Sequence, residues 1–185
     1  MSGYVHWVTQ NPLLSAAVQF AILGTIGEII SHCMQRRRLD LPGNWAQLTA
    51  KILGWAVLGI FVKYGFVGMK GFTRALVDHQ LLPQFMDSGI GWAFAVSAVM
   101  NILFGPHVMF LHRLTDNLIM RRWDFRGMAG ALRTLVWFWI PVHTITFLLP
   151  NEYQIGLAAA WSIVLGFIMG FSRRDSTSSV RRSPA

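Results

Sequence analysis

The sequence predicts an all-α fold, a polytopic bundle of transmembrane helices, and three observations lead to this class. First, 54% of the 185 residues are hydrophobic and only 13% are charged, whereas soluble domains carry about 25% charged residues. Second, the apolar residues form blocks of about 20, the helical length that crosses hydrocarbon. Third, the arginines lie between those blocks, where they act as topology signals. The lipid bilayer is therefore the expected surrounding, and no nucleic-acid partner is expected.

Five apolar segments are predicted to be helices, and local signals mark several of their ends. Asn11 can cap the first helix, and Pro12 suits its first turn. Pro106 predicts a kink in the third segment. A turn containing Pro150 separates the last two segments, which are short for full spans and could also form one broken helix. The five segments cover residues 13–34, 48–69, 90–111, 132–149 and 155–171.

The distribution of Lys and Arg predicts how often the chain crosses the membrane, because these residues are retained on the cytoplasmic side or its organellar equivalent. The rich stretches follow the first, third and fifth segments, whereas the N-terminus and the turn between the last two segments carry none. Five crossings with an outer N-terminus place all three rich stretches on one side. Four crossings would put the basic tail on the opposite face. Charge therefore favours five within a predicted range of four to five.

A single transmembrane domain, residues 1–171, is predicted, followed by a tail, residues 172–185. The tail is rich in Ser and Arg and has no apolar anchor, so it is expected to be disordered. Cys33 is the only cysteine, which excludes an internal disulfide. The first twelve residues contain no Lys or Arg, and so a secretory signal is not expected there.

Charged and polar residues inside the apolar segments are the candidates for function. Glu28 and His32 are four residues apart, so they share one face of the first helix. Such groups normally face a bundle interior or a wet cavity and find a partner. Lys63 in the second segment is the candidate counter-charge. These three residues could line a hydrated path. Alternatively, Glu28 and Lys63 could form a structural ion pair, or a protonated Glu28 could donate a hydrogen bond to another helix. These interpretations are all kept.

Three further polar residues are predicted to lie in the interior, namely Asn101, His107 and His143. His107, His112 and His143 do not have the spacing of a compact zinc site, so neither a metal nor another cofactor is expected. His112 lies beside Arg113 and is expected at the membrane interface. No motif for nucleophilic, phosphoryl-transfer or metal catalysis occurs. An enzyme is not predicted, although catalytic groups can converge from separate helices.

Glycines at helical spacing predict close packing between helices, because small residues let backbones approach in lipid. Core packing is the main interpretation, and a homodimer face at Gly166 and Gly170 is the alternative. The predicted packing positions are Gly24, Gly27, Gly65, Gly68, Gly166 and Gly170.

Three stretches resemble a known family. The stretch "NPLLSAAVQFAILGTIGEIISHCMQ" is similar to the opening of the Mpv-seventeen family, which includes the twenty-two-kilodalton peroxisomal membrane protein. The stretch "WFWIPVHTITFLLPNEYQ" resembles a later motif of that family with two prolines and an aromatic residue, and "FMDSGIGWAF" resembles the entry to its third helix. The matching positions are Pro12, Gly27, Glu28, Asp87, Pro141, Pro150 and Tyr153.

The chain also departs from the family pattern. Ile140 stands where the family usually has Trp, Gln154 replaces its Arg, and the Gly105–Pro106 pair lies one helix later than expected. The resemblance implies an organellar membrane protein, mitochondrial inner or peroxisomal, with four spans rather than five. It also implies a weakly selective channel tied to metabolite homeostasis.

The sequence therefore predicts a channel or pore for small solutes or ions, with a homo-oligomer as one possible assembly. Two alternatives remain open. A non-conducting scaffold would use its polar groups only to hold helices together, and it would have a packed interior. An intramembrane lipid-handling enzyme would open sideways to lipid and would place a His or Glu beside a second catalytic group.

Overall fold

A computed structural model of the chain describes residues 3–180, with the side chains of residues 3–168. Within this range the backbone is helical almost throughout, and the described residues form no strand. All five predicted segments lie in helices. The helices are α1 Gly3–Gln10, α2 Pro12–Arg36, α3 Trp45–Asp78, α4 Gly89–Val99, α5 Gly105–Met120, α6 Met128–Thr134, α7 Ile140–Leu148 and α8 Asn151–Val180.

Among the described residues, four helical stretches are long and apolar enough to cross a membrane. They are α2, α3, the continuous stretch Gly89–Met120 that joins α4 to α5, and the stretch Met128–Leu148 that joins α6 to α7. The prediction of an all-α transmembrane bundle is therefore confirmed.

Two of these stretches contain a π-helical turn, Met100–Phe104 and Leu135–Trp139. In the first, the Gly105 N–H donates to the Met100 carbonyl. In the second stretch, the Ile140 N–H likewise donates to the carbonyl five residues earlier, that of Leu135. Each turn ends just before a proline, Pro106 or Pro141, whose ring clashes with the fourth carbonyl before it in a regular α-helix. The wider turn accommodates the proline, so the irregularity predicted at Pro106 takes the form of a π turn.

Helices α7 and α8 form an antiparallel hairpin, so they are not one broken helix. Leu149 and Pro150 separate them, and the Gln154 side-chain amide donates to the Leu149 carbonyl at 2.8 Å. Further along, the Trp161 indole N–H donates to Thr146 Oγ1 at 3.1 Å. Pro150 lies in this turn because it cannot continue the ladder of α7.

Helix α8 lies beside α2 and runs parallel to it. Gly156, early in α8, lies against Gln19, early in α2. Gly166, later in α8, lies against Gly27, later in α2. Among the described residues, α8 is not one of the four stretches that are long and apolar enough to cross a membrane, so five crossings stay a prediction. Helix α8 is described as far as Val180, and the disorder predicted for residues 172–185 stays a prediction. Residues 181–185 lie outside the described part of the chain.

Most of the predicted packing glycines face another helix. A Cβ at Gly27 would lie 2.9 Å from the Ser162 carbonyl oxygen, and one at Gly166 would lie 2.6 Å from the Gly27 carbonyl oxygen. A Cβ at Gly24 would meet the Trp55 ring, and one at Gly65 would meet the Phe104 ring. The contact of Gly166 is thus inside the chain, which favours core packing, the main interpretation, over a homodimer face at this residue.

Two local predictions are wrong. Gly68 has nothing within 4 Å of a Cβ position and is exposed, because it lies on the outer face of α3. Asn11 does not cap α2 through its side chain, since its amide donates instead to the Trp7 carbonyl in α1 at 3.3 Å. The surroundings of Gly170 lie outside the described side chains. The hydrophobic core sits between α2, α3, α4 and α8, where Phe20, Phe66 and Val96 are buried.

Candidate functional site: a central chamber and an ionic cluster

A cavity of about 280 Å³ lies in the centre of the bundle, and we call it the chamber. It is lined by side chains from α2, α3, α5, α7, α8 and both π turns. Most of its lining is apolar or aromatic, with Phe20, Leu58 and Met100 among the contributors. The side chains with polar atoms that line it are Glu28, Ser31, Trp55, Asn101, His112, Trp139, His143 and Ser162.

Three charged residues, Glu28, Lys51 and Asp116, lie at one end of the chamber, and we call them the ionic cluster. The Lys51 ammonium contacts both Glu28 Oε1 and Asp116 Oδ1. Its side chain is only 6% exposed, whereas the two carboxylates are 21% and 26% exposed. Burial of an ammonium is costly unless charged partners surround it. The cluster therefore holds α2, α3 and α5 together at one depth.

Two aromatic residues connect the ionic cluster to the chamber. The Trp55 indole N–H donates to Glu28 Oε2 at 3.0 Å, so both carboxylate oxygens of Glu28 have partners. The His112 ring lies over Trp55, with ring centroids 4.5 Å apart. Glu28, Trp55 and His112 line the chamber and also a second space of about 10 Å³ beyond it. Lys51 and Asp116 line only that smaller space, and so the ionic cluster separates the chamber from the end of the bundle.

The ionic cluster lies near the end of the bundle that carries the basic loops. Lys51 is in the second turn of α3, and Asp116 lies four residues before the end of α5. The connections at this end contain Arg37, Arg38 and Arg122. The retention of positive charge predicts that this end lies on the inner side of the membrane.

A second polar group crosses the middle of the bundle from α4 to α7. The Asn101 amide nitrogen lies 2.8 Å from the Ser97 carbonyl oxygen and so must donate to it. The same nitrogen lies 3.1 Å from His143 Nδ1. Because an amide nitrogen only donates, His143 Nδ1 accepts, and the proton of the neutral ring is assigned to Nε2. Ser97 Oγ donates to the Ile140 carbonyl at 2.7 Å, which fixes α4 against α7.

Two N–H donors beside the chamber have no hydrogen-bond partner among the described residues. One is the His143 Nε2–H, on a side chain that is only 7% exposed. The other is the Trp139 indole N–H, whose nitrogen is buried. The two rings lie 5.0 Å apart and both line the chamber. Of the two nitrogens, that of Trp139 is fully buried, and unpaired buried donors are rare in proteins.

The structure brings together three of the predicted interior residues. Glu28, Asn101 and His143 all line the chamber, and Gly24, Gly27 and Gly166 form part of its wall. His112 was expected at the membrane interface but lies against Trp55 and lines the chamber. Glu28, Asn101 and His143, each predicted to be interior because it is polar, therefore line the same cavity.

The predicted counter-charge of Glu28 is wrong, because its partner is Lys51 rather than Lys63. Lys63 lies on the same helix more than three turns further along, about 18 Å away by helical rise. It is half-buried and does not line the chamber. The ion-pair interpretation holds for Glu28, but with a different lysine.

Two histidines predicted to be interior do not line the chamber. His32 turns towards the loop after α2, where its Nε2 lies 4.0 Å from Asp40 Oδ2, too far for a hydrogen bond. His107 is exposed on the outer side of α5 and donates through Nδ1 to the Leu103 carbonyl at 3.0 Å. Both departures reflect rotation about a helix axis, which spacing along one helix does not determine.

Sequence reasoning missed Asp116, Trp55 and the role of Lys51, although depth in the membrane offered a signal. Glu28, Lys51 and Asp116 each lie four to eight residues from the helix end on the basic side. In antiparallel helices, residues at equal distances from the same membrane face lie at similar depth. Comparing depths would have favoured Lys51 over Lys63.

The residues that carry the family resemblance lie mostly away from the chamber. Asp87 pairs with Arg74, whose guanidinium stacks 4.2 Å above the Trp92 ring at the outer end of the bundle. Tyr153 stacks on Tyr4 with ring centroids 5.7 Å apart. Pro12 begins α2, whereas Pro141 follows a π turn and Pro150 lies in the α7–α8 turn. Of the seven positions, only Gly27 and Glu28 line the chamber.

The apolar helices define an integral membrane protein of the helical-bundle class. A scan against protein-family models, a search of curated proteins and a search of solved structures each found no match to this chain. The resemblance to the Mpv-seventeen family therefore stays a prediction.

Proposed function

We propose that this protein is a weakly selective membrane passage for small, uncharged solutes. The observation that carries the proposal is the chamber of about 280 Å³ at the centre of the bundle. A purely structural bundle would fill this space with side chains, because protein interiors pack as densely as organic crystals. The cavity supports a passage over a scaffold with a packed interior.

The lining of the chamber favours uncharged solutes over ions. Its wall is mainly apolar, and an isolated charge pays a large desolvation cost in such surroundings. Both oxygens of Glu28 already have partners, so this carboxylate is not free to replace the hydration shell of a passing cation. Of the two predicted classes, small solutes and ions, the geometry supports the first.

The ionic cluster acts as the inner closure of the passage in this proposal. It lies between the chamber and the basic end of the bundle, and it joins three helices through one lysine. Removal of the lysine leaves two carboxylates at similar depth without their shared cation. Their repulsion should separate α2 from α5 and open the inner end.

The resemblance to the Mpv-seventeen family supports a channel and an organellar location. We extend the proposal to the mitochondrial inner membrane or the peroxisomal membrane on that ground alone. A homo-oligomer is compatible with this arrangement, but all residues that line the chamber come from one chain.

The proposal is tested by solute entry into proteoliposomes, measured as osmotic swelling by stopped-flow light scattering with glycerol as the solute. Wild-type protein should speed swelling above that of protein-free vesicles. Lys51→Met should speed it several-fold further, because the inner closure is weakened. Lys63→Met is the matched control, since the same change on the same helix lies outside the ionic cluster.

Helical content and gel-filtration profiles would verify that both variants fold before swelling is measured. Equal swelling of wild-type and protein-free vesicles, together with a folded Lys51→Met variant that is equally slow, would contradict the passage. Equal acceleration by Lys51→Met and Lys63→Met would contradict the closure by the ionic cluster.

A further inference from the structure

The chamber has the composition of a small-molecule site. Ligand pockets are mostly apolar and contain a few polar groups that fix orientation. Here the apolar wall includes Leu58, Met100 and Val108, and the unpaired donors are the His143 Nε2–H and the Trp139 indole N–H. A volume of about 280 Å³ is slightly below the range of about 300–1,000 Å³ for drug-sized ligands, so it suits a smaller molecule.

The hydrogen-bond network determines what His143 can recognise. Asn101 donates to Nδ1, which places the ring proton on Nε2 and makes that nitrogen a donor. The Trp139 indole N–H is also only a donor. A molecule bound between the two rings would therefore have to present an acceptor such as a carbonyl oxygen. A donor-only group, such as an ammonium, would find no acceptor on these two residues.

The charge at the inner end of the chamber excludes one class of acceptor. Two carboxylates share one lysine in the ionic cluster, which leaves a formal charge of −1 when His112 is neutral. Glu28 belongs to the chamber wall as well as to the cluster. A carboxylate ligand would meet like charge and an apolar wall, both of which are unfavourable. A neutral oxygen acceptor meets neither cost.

We propose that the chamber binds a neutral organic molecule with an apolar body and one carbonyl oxygen, which accepts a hydrogen bond from His143. Such a molecule would be one class of solute for the proposed passage. The binding proposal depends on the proposed function in one respect only, namely that the chamber is the functional cavity. Binding would give the His143 Nε2–H an acceptor, beside a buried Trp139 indole N–H that has no partner among the described residues.

The experiment is photolabelling of the detergent-solubilised protein with benzophenone, itself a neutral aromatic ketone, followed by mass spectrometry of the labelled peptides. We expect labels on Met100 or Met109, which line the chamber. Three competitors separate the features of the ligand. Acetophenone has the carbonyl, ethylbenzene lacks it, and benzoate carries a carboxylate instead.

At matched concentrations in the detergent phase, acetophenone should compete about 3- to 10-fold better than ethylbenzene, the factor expected for one net hydrogen bond. Benzoate should compete worst. Equal competition by acetophenone and ethylbenzene in the wild-type protein would overturn the proposal, as would labelling that never reaches the chamber. This comparison needs no variant and so does not depend on the folding of one.

Two variants assign the preference to His143. His143→Phe should abolish the difference between acetophenone and ethylbenzene, whereas His107→Phe should keep it, because His107 lies outside the chamber. A preference that survives in His143→Phe would overturn the role of this histidine. The result is separate from solute flux. Ketone-selective labelling without flux supports the binding site and contradicts the passage, and flux without ketone selectivity overturns only the binding site.

Discussion

The buried Lys51 shows at the scale of single residues how charges are tolerated inside this bundle. Its ammonium is 6% exposed and contacts two carboxylates from different helices. The desolvation cost of such a group is offset only when partners surround it, and removing one partner leaves charge uncompensated. The Arg74–Asp87 pair at the outer end is much more exposed, at 45% and 54%. Exposed pairs of this kind contribute about 0–1 kcal/mol.

The buried ionic cluster and the exposed Arg74–Asp87 pair predict different losses of stability when an aspartate is replaced by asparagine. Asp116→Asn should lower the free energy of unfolding by about 2–3 kcal/mol, less than the 3–5 kcal/mol for a fully broken buried pair, because Lys51 keeps Glu28. Asp87→Asn should cost about 1 kcal/mol or less. Denaturation of both variants in the same detergent measures the difference. Equal losses would show that the ionic cluster is no more stabilising than a surface pair.

At the scale of helices, close contact between backbones holds α2 against α8. The Gly166 position has no room for a Cβ, which would lie 2.6 Å from the Gly27 carbonyl oxygen. Gly68 lies on the outside of α3 with open space around it. In lipid, such close approach replaces the hydrophobic effect as a source of association between helices.

The two glycines predict opposite effects of one added methyl group. Gly166→Ala should destabilise the bundle by about 1–3 kcal/mol, because a backbone carbonyl has to move. Gly68→Ala should be neutral or stabilising by up to about 1 kcal/mol through helix propensity. Thermal unfolding in detergent, followed by circular dichroism, gives the comparison. A stable Gly166→Ala variant would mean that α2 and α8 are free to separate.

At the scale of the whole molecule, the parallel arrangement of α2 and α8 bears on topology. Their contacts run in the same order along both helices, from Gln19 and Gly156 to Gly27 and Gly166. A helix that follows a spanning neighbour over this depth enters and leaves at the same faces. The described residues contain four stretches that qualify as spans, so a fifth crossing by α8 is a prediction that rests on the distribution of arginines and on this parallel course.

Five crossings predict that the two chain ends lie on opposite faces. In a Cys33→Ser background, Ser2→Cys should react with an impermeant maleimide from the same side as Gln80→Cys, which lies between α3 and α4. Ser183→Cys should react from the side of Arg37→Cys, which lies after α2. Labelling of intact and permeabilised vesicles distinguishes the sides. Labelling of Ser183→Cys together with Gln80→Cys would support four crossings.

The sequence by itself determined the fold class, the five helical segments and the inward position of Glu28. Composition and block length decide whether a helix leaves water, and a carboxylate in such a block has to find a partner. The interior positions of Asn101 and His143 could also be predicted, because they are polar residues within apolar runs.

Only the tertiary structure decided which residues meet. Lys51 and Lys63 lie on one helix, yet Lys51 pairs with Glu28 in place of the predicted Lys63. Gly65 and Gly68 also lie on that helix, yet only Gly65 packs closely as predicted. Rotation about the helix axis and depth relative to neighbouring helices select between them. Both are determined by contacts between segments far apart in the chain, such as Lys51 with Asp116. The periodicity of a single segment does not contain that information.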